Sequence, residues 1–331
     1  MASPRAVIVG YGGQDGRILW DQLSGQGYAL VGIGRNSVQR HRTDWDEQTI
    51  IDDADAVRRL IAEFRPEEIY YLAAHHQSSQ DVTASDQALW NWSSRVHVQG
   101  FLNFLEAVRR CHPTARIFYA SSSRVFGRAA SNPQTEATPF QPICIYGISK
   151  LTGMMLGHYY KNDYGIHVSI GILYNHESPL RGRQFISQRV AHGLAKVKAG
   201  LCEELEIGSL SARVDWGYAP DYIMAMRSIL KHDCPSDFII ASGTTHSVRE
   251  MIETAAKHLG LNWKSIVVEC TPILQRDPLS LCGDSTYLRE TTGWKPSVGF
   301  HEMVRILVEA AQTEILHNKH DLKQEMTNDW S

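Results

Sequence analysis

The feature that most constrains the fold is a glycine-rich loop near the N-terminus. Residues 5–10 (RAVIVG) form an apolar run typical of a buried parallel strand, and residues 16–26 have amphipathic helical spacing. The loop between them, GYGGQDG at 10–16, repeats glycine at every third position. A strand, a tight glycine turn and a helix N-terminus aimed at an anion together suit the pyrophosphate of a dinucleotide. The loop therefore predicts a dinucleotide-binding unit.

The chain continues with the same strand–helix rhythm. Apolar runs at 29–34, 68–74, 116–121 and 167–173 predict strands, and they alternate with helical patterns at 54–64, 88–110 and 146–164. Such alternation with short links is typical of βαβ units with right-handed crossovers. We expect an α/β fold built on a doubly wound parallel sheet.

The rhythm changes after about residue 174. Helical patterns near 185–199, 219–231, 248–259 and 300–316 are separated by polar loops, and one further strand is predicted at 237–242. We expect a dinucleotide-binding domain at 1–174 and a smaller C-terminal substrate lobe at 175–331. Segments near 215–245 are expected to return to the sheet.

The end of the second predicted strand indicates which cofactor binds. An acid at this point binds the 2′-hydroxyl of NAD, whereas a base accommodates the 2′-phosphate of NADP. The strand runs into Arg35 with no acid nearby, which favours NADP over NAD. Asp52 or Asp53 could accept a hydrogen bond from the adenine amino group. The strand at 68–74 ends in small residues that let a cofactor lie against backbone: Leu72, Ala73 and Ala74.

A YxxxK pattern carries the predicted chemistry. Tyr146 and Lys150 share one face of a helix, so Lys150 can lower the tyrosine pKa and hold the cofactor ribose. Tyr146 can then exchange a proton with a substrate hydroxyl while hydride moves to or from nicotinamide. A serine cluster at 121–123 ends the preceding strand, and a serine there can hydrogen-bond the same hydroxyl.

Composition excludes several classes of protein. Of the 331 residues, 33 are Lys or Arg and 36 are Asp or Glu, giving a net charge of −3. This balance disfavours nucleic-acid binding and a polybasic membrane patch. No apolar run approaches a membrane span, and the first residues do not suit a signal peptide. The six cysteines form no CxxC pair or metal-binding pattern, so we expect free thiols in a cytoplasmic protein without a metal.

Four further strings carry a family resemblance, in addition to the glycine loop. They are EIYYLAA at 68–74, NHESPLRG at 175–182, VDWGYAPDY at 214–222 and GDSTYLRETTGWKP at 283–296. Over residues 5–310 the chain resembles the extended short-chain dehydrogenases that act on nucleotide sugars, most of all the GDP-mannose 4,6-dehydratases. The resemblance implies a Rossmann-type domain with a smaller nucleotide-sugar lobe.

The resemblance also implies roles for individual residues. Ser122 lies where the family has its catalytic threonine, Tyr146 would be the base with Lys150 as its helper, and Arg35 would meet the 2′-phosphate. The residues implied to hold the dinucleotide are Gly10, Gly13, Gln14, Asp15 and Gly16. Those implied to lie along a GDP-sugar are Asn175, Glu177, Arg181 and Arg189.

Two departures from the family pattern bear on the reaction. Arg124 stands where the dehydratases have the glutamate that abstracts the C5 proton. A guanidinium stays protonated and cannot be that base, although it could stabilise an oxyanion or enolate. Glu136 and His176 lie nearby in sequence as weak alternative bases. Val214 replaces an arginine that contacts the sugar diphosphate; Arg213 is a candidate, but it would point elsewhere in an extended segment.

The sequence therefore predicts an NADP-dependent enzyme that performs C4 redox chemistry on a nucleotide hexose, with a GDP-sugar as substrate. The missing glutamate favours an epimerase or a 4-keto reductase. A true 4,6-dehydratase with another C5 base and a non-catalytic NADP-binding partner subunit are the alternatives. We also expect at least a homodimer, because the helices at 88–110 and 146–164 carry apolar residues beyond the needs of one chain: Trp90, Val98, Phe101, Leu105, Met154, Met155 and Tyr159.

Overall fold

The computed structural model describes residues 3–35, 37–43, 50–75, 85–270 and 280–328, with side chains up to residue 317. The strands are β1 (Arg5–Val9), β2 (Ala29–Ile33), β3 (Val38–His41), β4 (Glu68–Tyr71), β5 (Arg116–Ser122), β6 (Val168–Leu173), β7 (Asn175–Glu177), β8 (Leu205–Ile207), β9 (Arg213–Tyr218), β10 (Asp237–Ile240), β11 (Thr245–Ser247) and β12 (Val267–Glu269). The helices are α1 (Gln14–Gly25), α2 (Ala54–Phe64), α3 (Asp86–Ser94), α4 (Gly100–Cys111), α5 (Ile145–Tyr164), α6 (Ile186–Lys198), α7 (Ala219–Lys231), α8 (Val248–Leu259), α9 (Thr286–Thr292) and α10 (Phe300–Asn328).

A seven-stranded sheet forms the centre, in the order β10-β6-β5-β4-β1-β2-β3. The first six strands in this order run parallel, and β3 pairs antiparallel with β2 at the edge. The predicted α/β fold with a mainly parallel sheet is confirmed. The edge strand β3 was not expected, because its sequence VQRH has neither an apolar run nor clear alternation.

Helices cover both faces of this sheet. Helices α2, α4 and α5 bury one face through residues such as Leu60, Phe104 and Met154. Helices α1 and α7 bury the other face, for example through Leu19 and Met226. These apolar contacts on both sides explain why the strands are continuous hydrophobic runs in the sequence.

A third apolar core belongs to the smaller lobe. It lies among α6, α8 and α10, with Leu194, Ile252 and Leu307 fully or almost fully buried. Two small sheets, β11-β9-β7 and β12-β8, complete the lobe. The chain crosses between the main sheet and the smaller lobe more than once. Strand β9 pairs with β7 in a small sheet of the lobe, and β10, which follows it, returns to pair with β6 in the main sheet.

The helix expected at 88–110 is interrupted. It consists of α3 and α4 joined by a π-helical turn at Arg95–Gln99. The turn places His97 inward, with no exposed surface. Side-chain spacing alone does not distinguish such a turn from a regular helix.

Part of the expected association surface lies inside this chain. Phe101, Leu105 and Met154 are fully buried, so the expectation that they offer surface to a second copy is wrong. Trp90, Met155 and Tyr159 are exposed. All six cysteines are free thiols. Across the described part of the chain, no helix is sufficiently long and apolar to cross a membrane.

Candidate active site

The glycine loop joins β1 to α1 and leaves no room for a side chain at two of its glycines, Gly10 and Gly16. Gly10 has φ of +94°, and a Cβ atom there would lie 2.7 Å from the backbone nitrogen of Ala73. A Cβ at Gly16 would lie 2.4 Å from the carbonyl oxygen of Gly10. Gly13 precedes α1 and has no side chain to cap the helix, so the first amides of α1 are available to an anion. The loop fits the pyrophosphate of a dinucleotide.

The side chains of Gln14 and Asp15 bind the segment around β7. Gln14 donates from Nε2 to the carbonyl oxygen of His176 at 3.1 Å, and it accepts from the hydroxyl of Ser178 at 2.9 Å. The Asp15 carboxylate accepts from Nε2 of His176 at 2.9 Å. The two side chains therefore attach the glycine loop to the segment around β7. Sequence reasoning missed this attachment.

The partly buried Asp15 and the buried His176 form an ion pair. Burial would raise the pKa of Asp15, but the charge and hydrogen bond of His176 outweigh it and lower that pKa. Burial would lower the pKa of His176, but Asp15 raises it. The pair therefore favours the charged forms of both groups.

The region expected to hold the adenosine begins after β2. Arg35 is exposed there, and close by the hydroxyls of Tyr11 and Ser37 lie 3.0 Å apart. The carboxylate of Asp53 caps α2 by accepting two backbone N–H groups. Asp52 accepts from Nε of Arg95 at 3.0 Å. Both acids considered for adenine recognition thus have protein partners.

The strand end of β4 closes the other side of the glycine loop. The residues expected to face the cofactor there, Leu72, Ala73 and Ala74, follow β4 directly. The backbone of Ala73 lies against Gly10, as described above. This close packing places the small residues next to the loop.

Ser122, Tyr146 and Lys150 come together at the carboxyl end of β5. Ser122 is the last residue of β5, and its side chain hydrogen-bonds the Tyr146 hydroxyl. Lys150 is buried one helical turn after Tyr146, with Nζ 5.9 Å from the centre of the tyrosine ring. Its ammonium donates to the carbonyl oxygen of Ala120 at 2.7 Å. The strand end and the first turns of α5 thus bring the predicted trio together.

Burial sets the ionisation of two of these groups. It raises the pKa of Tyr146 to about 12, although Arg181 and the hydrogen bond from Ser122 oppose the rise. It lowers the pKa of Lys150 to about 7, because the ammonium lies out of water. At neutral pH Tyr146 is therefore neutral, whereas Lys150 is divided between its charged and neutral forms.

The positive charges of two arginines lower the pKa of the Tyr146 hydroxyl. Arg124 follows the strand end, where its backbone N–H donates to the Ser122 hydroxyl at 3.3 Å, and its side chain is exposed. Arg181 stacks on the ring of Phe185 at 3.6 Å. The charges of both guanidinium groups lower the pKa of Tyr146. Both charges therefore favour the phenolate form of Tyr146.

Glu177 is a buried acid close to this cluster. It accepts from the hydroxyl of Ser187 at 2.5 Å and lies 3.5 Å from Nε of Arg181. Burial raises its pKa, and Arg181 opposes the rise. The contacts with Ser187 and Arg181 fix the position of the Glu177 carboxylate. Asn175, at the start of β7, is exposed.

The remaining expected substrate residues have protein partners in the lobe. Arg189 donates to the carbonyl oxygen of Glu206 at 3.0 Å. Arg213 binds Glu250 at 3.2 Å, as well as Thr245. Since β9 is extended at Arg213, the side chain is directed toward β11 and α8.

The two acid–base alternatives for C5 chemistry also have partners elsewhere. Glu136 accepts from the backbone N–H of Ile239 at 2.9 Å, in the loop beside β10. His176 is paired with Asp15. Neither contact directs the group toward Tyr146.

Comparison with known proteins agrees with this architecture. The family model described as GDP-mannose 4,6 dehydratase matches residues 7–307. The chain belongs to the GDP-mannose 4,6-dehydratase family. The predicted resemblance is thereby confirmed, and the chain is a member of a family of sugar-nucleotide enzymes.

Curated relatives match over nearly the whole chain. GDP-mannose 4,6 dehydratase 2 of Arabidopsis thaliana is 34% identical over 326 residues, which cover 92% of this chain and 86% of the relative. GDP-mannose 4,6 dehydratase of Homo sapiens is 32% identical over 350 residues, covering 94% and 92% respectively.

Solved structures share the fold at lower sequence identity. RMD from Pseudomonas aeruginosa complexed with NADPH superposes with a TM-score of 0.80 at 22% identity, covering 94% of this chain and all of that one. The Thermus thermophilus UDP-glucose 4-epimerase complex with NAD gives 0.77 at 22% identity, covering 93% and 99%. These likenesses confirm the Rossmann-type fold.

Proposed function

We propose that this protein is an NADP(H)-dependent enzyme that performs redox chemistry at C4 of a GDP-linked hexose, as an epimerase or a 4-keto reductase. The observation that carries the proposal is Arg124, beside the assembled trio of Ser122, Tyr146 and Lys150. The closeness of these three side chains supports proton exchange at a sugar hydroxyl. An arginine stands where the dehydratases resembled by this chain have their C5 base.

The proposed roles follow from the contacts of the trio. A bound nicotinamide would accept or return a hydride. Tyr146 takes the proton of the C4 hydroxyl or gives it back, and Ser122 orients that hydroxyl. With a pKa of about 12, Tyr146 is a weak base at neutral pH. A protonated Lys150 and the two arginines counter this by stabilising the phenolate.

Loss of water from C6 needs a base for the C5 proton. Arg124 cannot accept it, and its charge acts on the Tyr146 hydroxyl. Glu136 and His176 have the partners described above, and Glu177 is held by Ser187 and Arg181. These contacts support C4 chemistry without elimination.

The nucleotide sugar is proposed from the family rather than from the lobe's geometry. Curated relatives are named GDP-mannose 4,6-dehydratases, which supports a GDP-sugar. We propose that residues 1–174 hold the cofactor and that the lobe holds the sugar nucleotide. Asn175 and Arg181 lie where the chain passes from the main sheet into the lobe, which suits contact with both.

The test uses GDP-mannose, other nucleotide hexoses and their 4-keto-6-deoxy forms, with product mass as the readout. We expect an unchanged mass for an epimerase or a gain of two hydrogens for a reductase. Solvent deuterium at C5 reports proton abstraction even where elimination stalls. Rapid C5 exchange with loss of water by the wild type would show a dehydratase with another base. An absence of turnover with every sugar would point to the non-catalytic partner.

A variant pair sharpens the assignment of Arg124. Arg124→Glu restores a carboxylate at the strand end, and we expect slow C5 exchange that the wild type lacks. Arg128→Glu makes the same charge change at an exposed position in the following loop and should leave C5 exchange absent. Equal C5 exchange in both variants would contradict the role given to Arg124.

A further inference from the structure

The π-helical turn between α3 and α4 carries a histidine that the proposed chemistry does not use. Such turns are rare and often lie at functional sites. His97 lies in this turn, fully buried, and its ring stands edge-on to the Tyr146 ring at 5.3 Å. The hydroxyl of Tyr119 donates to the His97 carbonyl oxygen at 3.1 Å. Both the backbone and the ring of this residue are therefore held in place.

Both ring nitrogens of His97 bind elements that meet at the site. Nε2 accepts from the backbone N–H of His75 at 2.9 Å, directly after the small residues that follow β4. Because Nε2 accepts, Nδ1 carries the proton and donates to the Ser149 hydroxyl at 2.8 Å. Ser149 in turn donates to the carbonyl oxygen of Tyr146 at 2.9 Å. The hydrogen bonds run in one direction from His75 to Tyr146.

We propose that His97 is a positioning residue that holds Tyr146 in register with the cofactor-facing end of β4. The proposal rests on the proposed function, since it assigns Tyr146 the proton transfer. One imidazole fixes the strand end and, through Ser149, the first turn of α5. A misplacement of about 1 Å at a reacting group costs about 10²-fold in rate, so this link controls kcat more than KM.

Two substitutions separate the hydrogen bonds from the bulk of the ring. His97→Leu keeps an apolar side chain but leaves the His75 N–H and the Ser149 hydroxyl without this partner. We expect kcat to fall about 10²-fold, with KM for the sugar nucleotide changed less than about threefold. His97→Asn offers an amide oxygen and an amide N–H, and we expect it to recover most of kcat.

Ser149→Ala tests the second half of the link and has a matched control. It removes the hydrogen bond to the Tyr146 carbonyl, and we expect kcat to fall about tenfold. Ser169 is also a fully buried serine, and its hydroxyl has no hydrogen-bond partner in the described structure. Ser169→Ala should leave kcat unchanged. Wild-type kcat in folded His97→Leu or in Ser149→Ala would overturn the proposal.

A second readout does not need turnover. We expect faster amide hydrogen exchange at His75 and at Tyr146–Ser149 in His97→Leu, and near wild-type exchange in His97→Asn. If the wild type acts on no sugar nucleotide, the proposed function fails. Amide hydrogen exchange alone then tests whether His97 links His75 to Tyr146. Unchanged exchange in His97→Leu overturns it. If His97→Leu does not fold, faster exchange at Tyr146 in Ser149→Ala supports the link, and unchanged exchange there overturns it.

Discussion

The Asp15 carboxylate lies 2.9 Å from Nε2 of His176, a residue 161 positions later in the chain. Asp15 belongs to the first turn of α1, and His176 to β7, where the chain leaves the main sheet. The His176 ring also stacks on Tyr222 of α7 at 4.6 Å. The loop that fits a dinucleotide and the start of the lobe are therefore held as one unit.

This ion pair predicts a pH-dependent contribution to stability. The lowered pKa of Asp15 stabilises the fold above its unfolded value, and the gain is lost as pH falls through the folded pKa. The raised pKa of His176 stabilises the fold below its unfolded value, and the gain is lost as pH rises through the folded pKa. Both contributions are complete between about pH 4 and pH 6.5.

Asp15→Asn measures that contribution. We expect its free energy of unfolding to be about 2 kcal/mol below that of the wild type between about pH 4 and pH 6.5. The difference should shrink at higher and lower pH. Urea unfolding across pH checks this, and a difference that does not vary with pH would contradict the ion pair.

Lys150 predicts proton uptake on cofactor binding. With a pKa of about 7, most of its amine is neutral at about pH 8 in the free protein. An anionic dinucleotide bound nearby raises that pKa, so up to one proton should be taken up per site. At about pH 5.5 the amine is already protonated and no uptake should occur.

Calorimetry in buffers of different ionisation enthalpy checks this uptake. Lys150→Met should abolish it, whereas Lys161→Met, further along the same helix, should not. Equal uptake at both pH values would show that another group titrates.

Arg35 predicts the choice between the two nicotinamide cofactors. We expect NADP(H) to bind more tightly than NAD(H), because the guanidinium attracts the 2′-phosphate. Arg35→Asp should weaken the binding of NADP(H) by about tenfold to a hundredfold, so that NAD(H) becomes the more tightly bound cofactor. Arg40→Asp makes the same charge change on β3 and should keep the preference. Equal affinities in the wild type would refute the assignment.

Sequence patterns predicted the elements that depend on local periodicity. The runs that became β1, β2, β4, β5 and β6 are apolar because the sheet is covered on both faces. The polar edge strand β3 and the π turn have no such signal. YxxxK spacing placed Tyr146 and Lys150 together, since four residues make about one helical turn.

Contacts between residues far apart in the chain could not be predicted from local sequence patterns. Gln14 and Asp15 bind β7, and Asp215 accepts from the backbone N–H groups of Gly243 and Gly283. The residues next to Gln14, Asp15 and Asp215 in sequence do not identify these partners, because it is the topology of the fold that brings the distant segments together. Likewise, no local pattern shows that Phe101 and Met154 face inward while Met155 faces out.

The catalytic tyrosine provides a direct test of the proposed chemistry. Tyr146→Phe removes the transferable proton, and we expect the rate to fall about 10²- to 10⁴-fold. Cofactor affinity should stay within about threefold, because Lys150 and the glycine loop remain. Tyr164→Phe removes an exposed hydroxyl from the end of the same helix and serves as the control. Wild-type turnover in Tyr146→Phe would show that another group moves the proton.

The last prediction concerns association of two copies through α3 and α5, which pack side by side. Large apolar side chains on these helices face solvent: Trp90, Trp92, Ile148, Met155 and Tyr159. Ile148, Met155 and Tyr159 are spaced by seven and four residues, so they share one face of α5. An exposed apolar face of this kind marks protein interfaces, and a second copy of this chain would bury it.

We expect a homodimer at micromolar concentration by light scattering. Met155 is 52% exposed, so Met155→Glu should fold normally while placing two charges in the interface and weakening the dimer at least about tenfold. Met224 on α7 is 47% exposed, and Met224→Glu is the matched control that should remain dimeric. A monomeric wild type would contradict the prediction. A Met155→Glu dimer as tight as the wild type would place the interface on another face, because a buried unpaired carboxylate is too costly to tolerate.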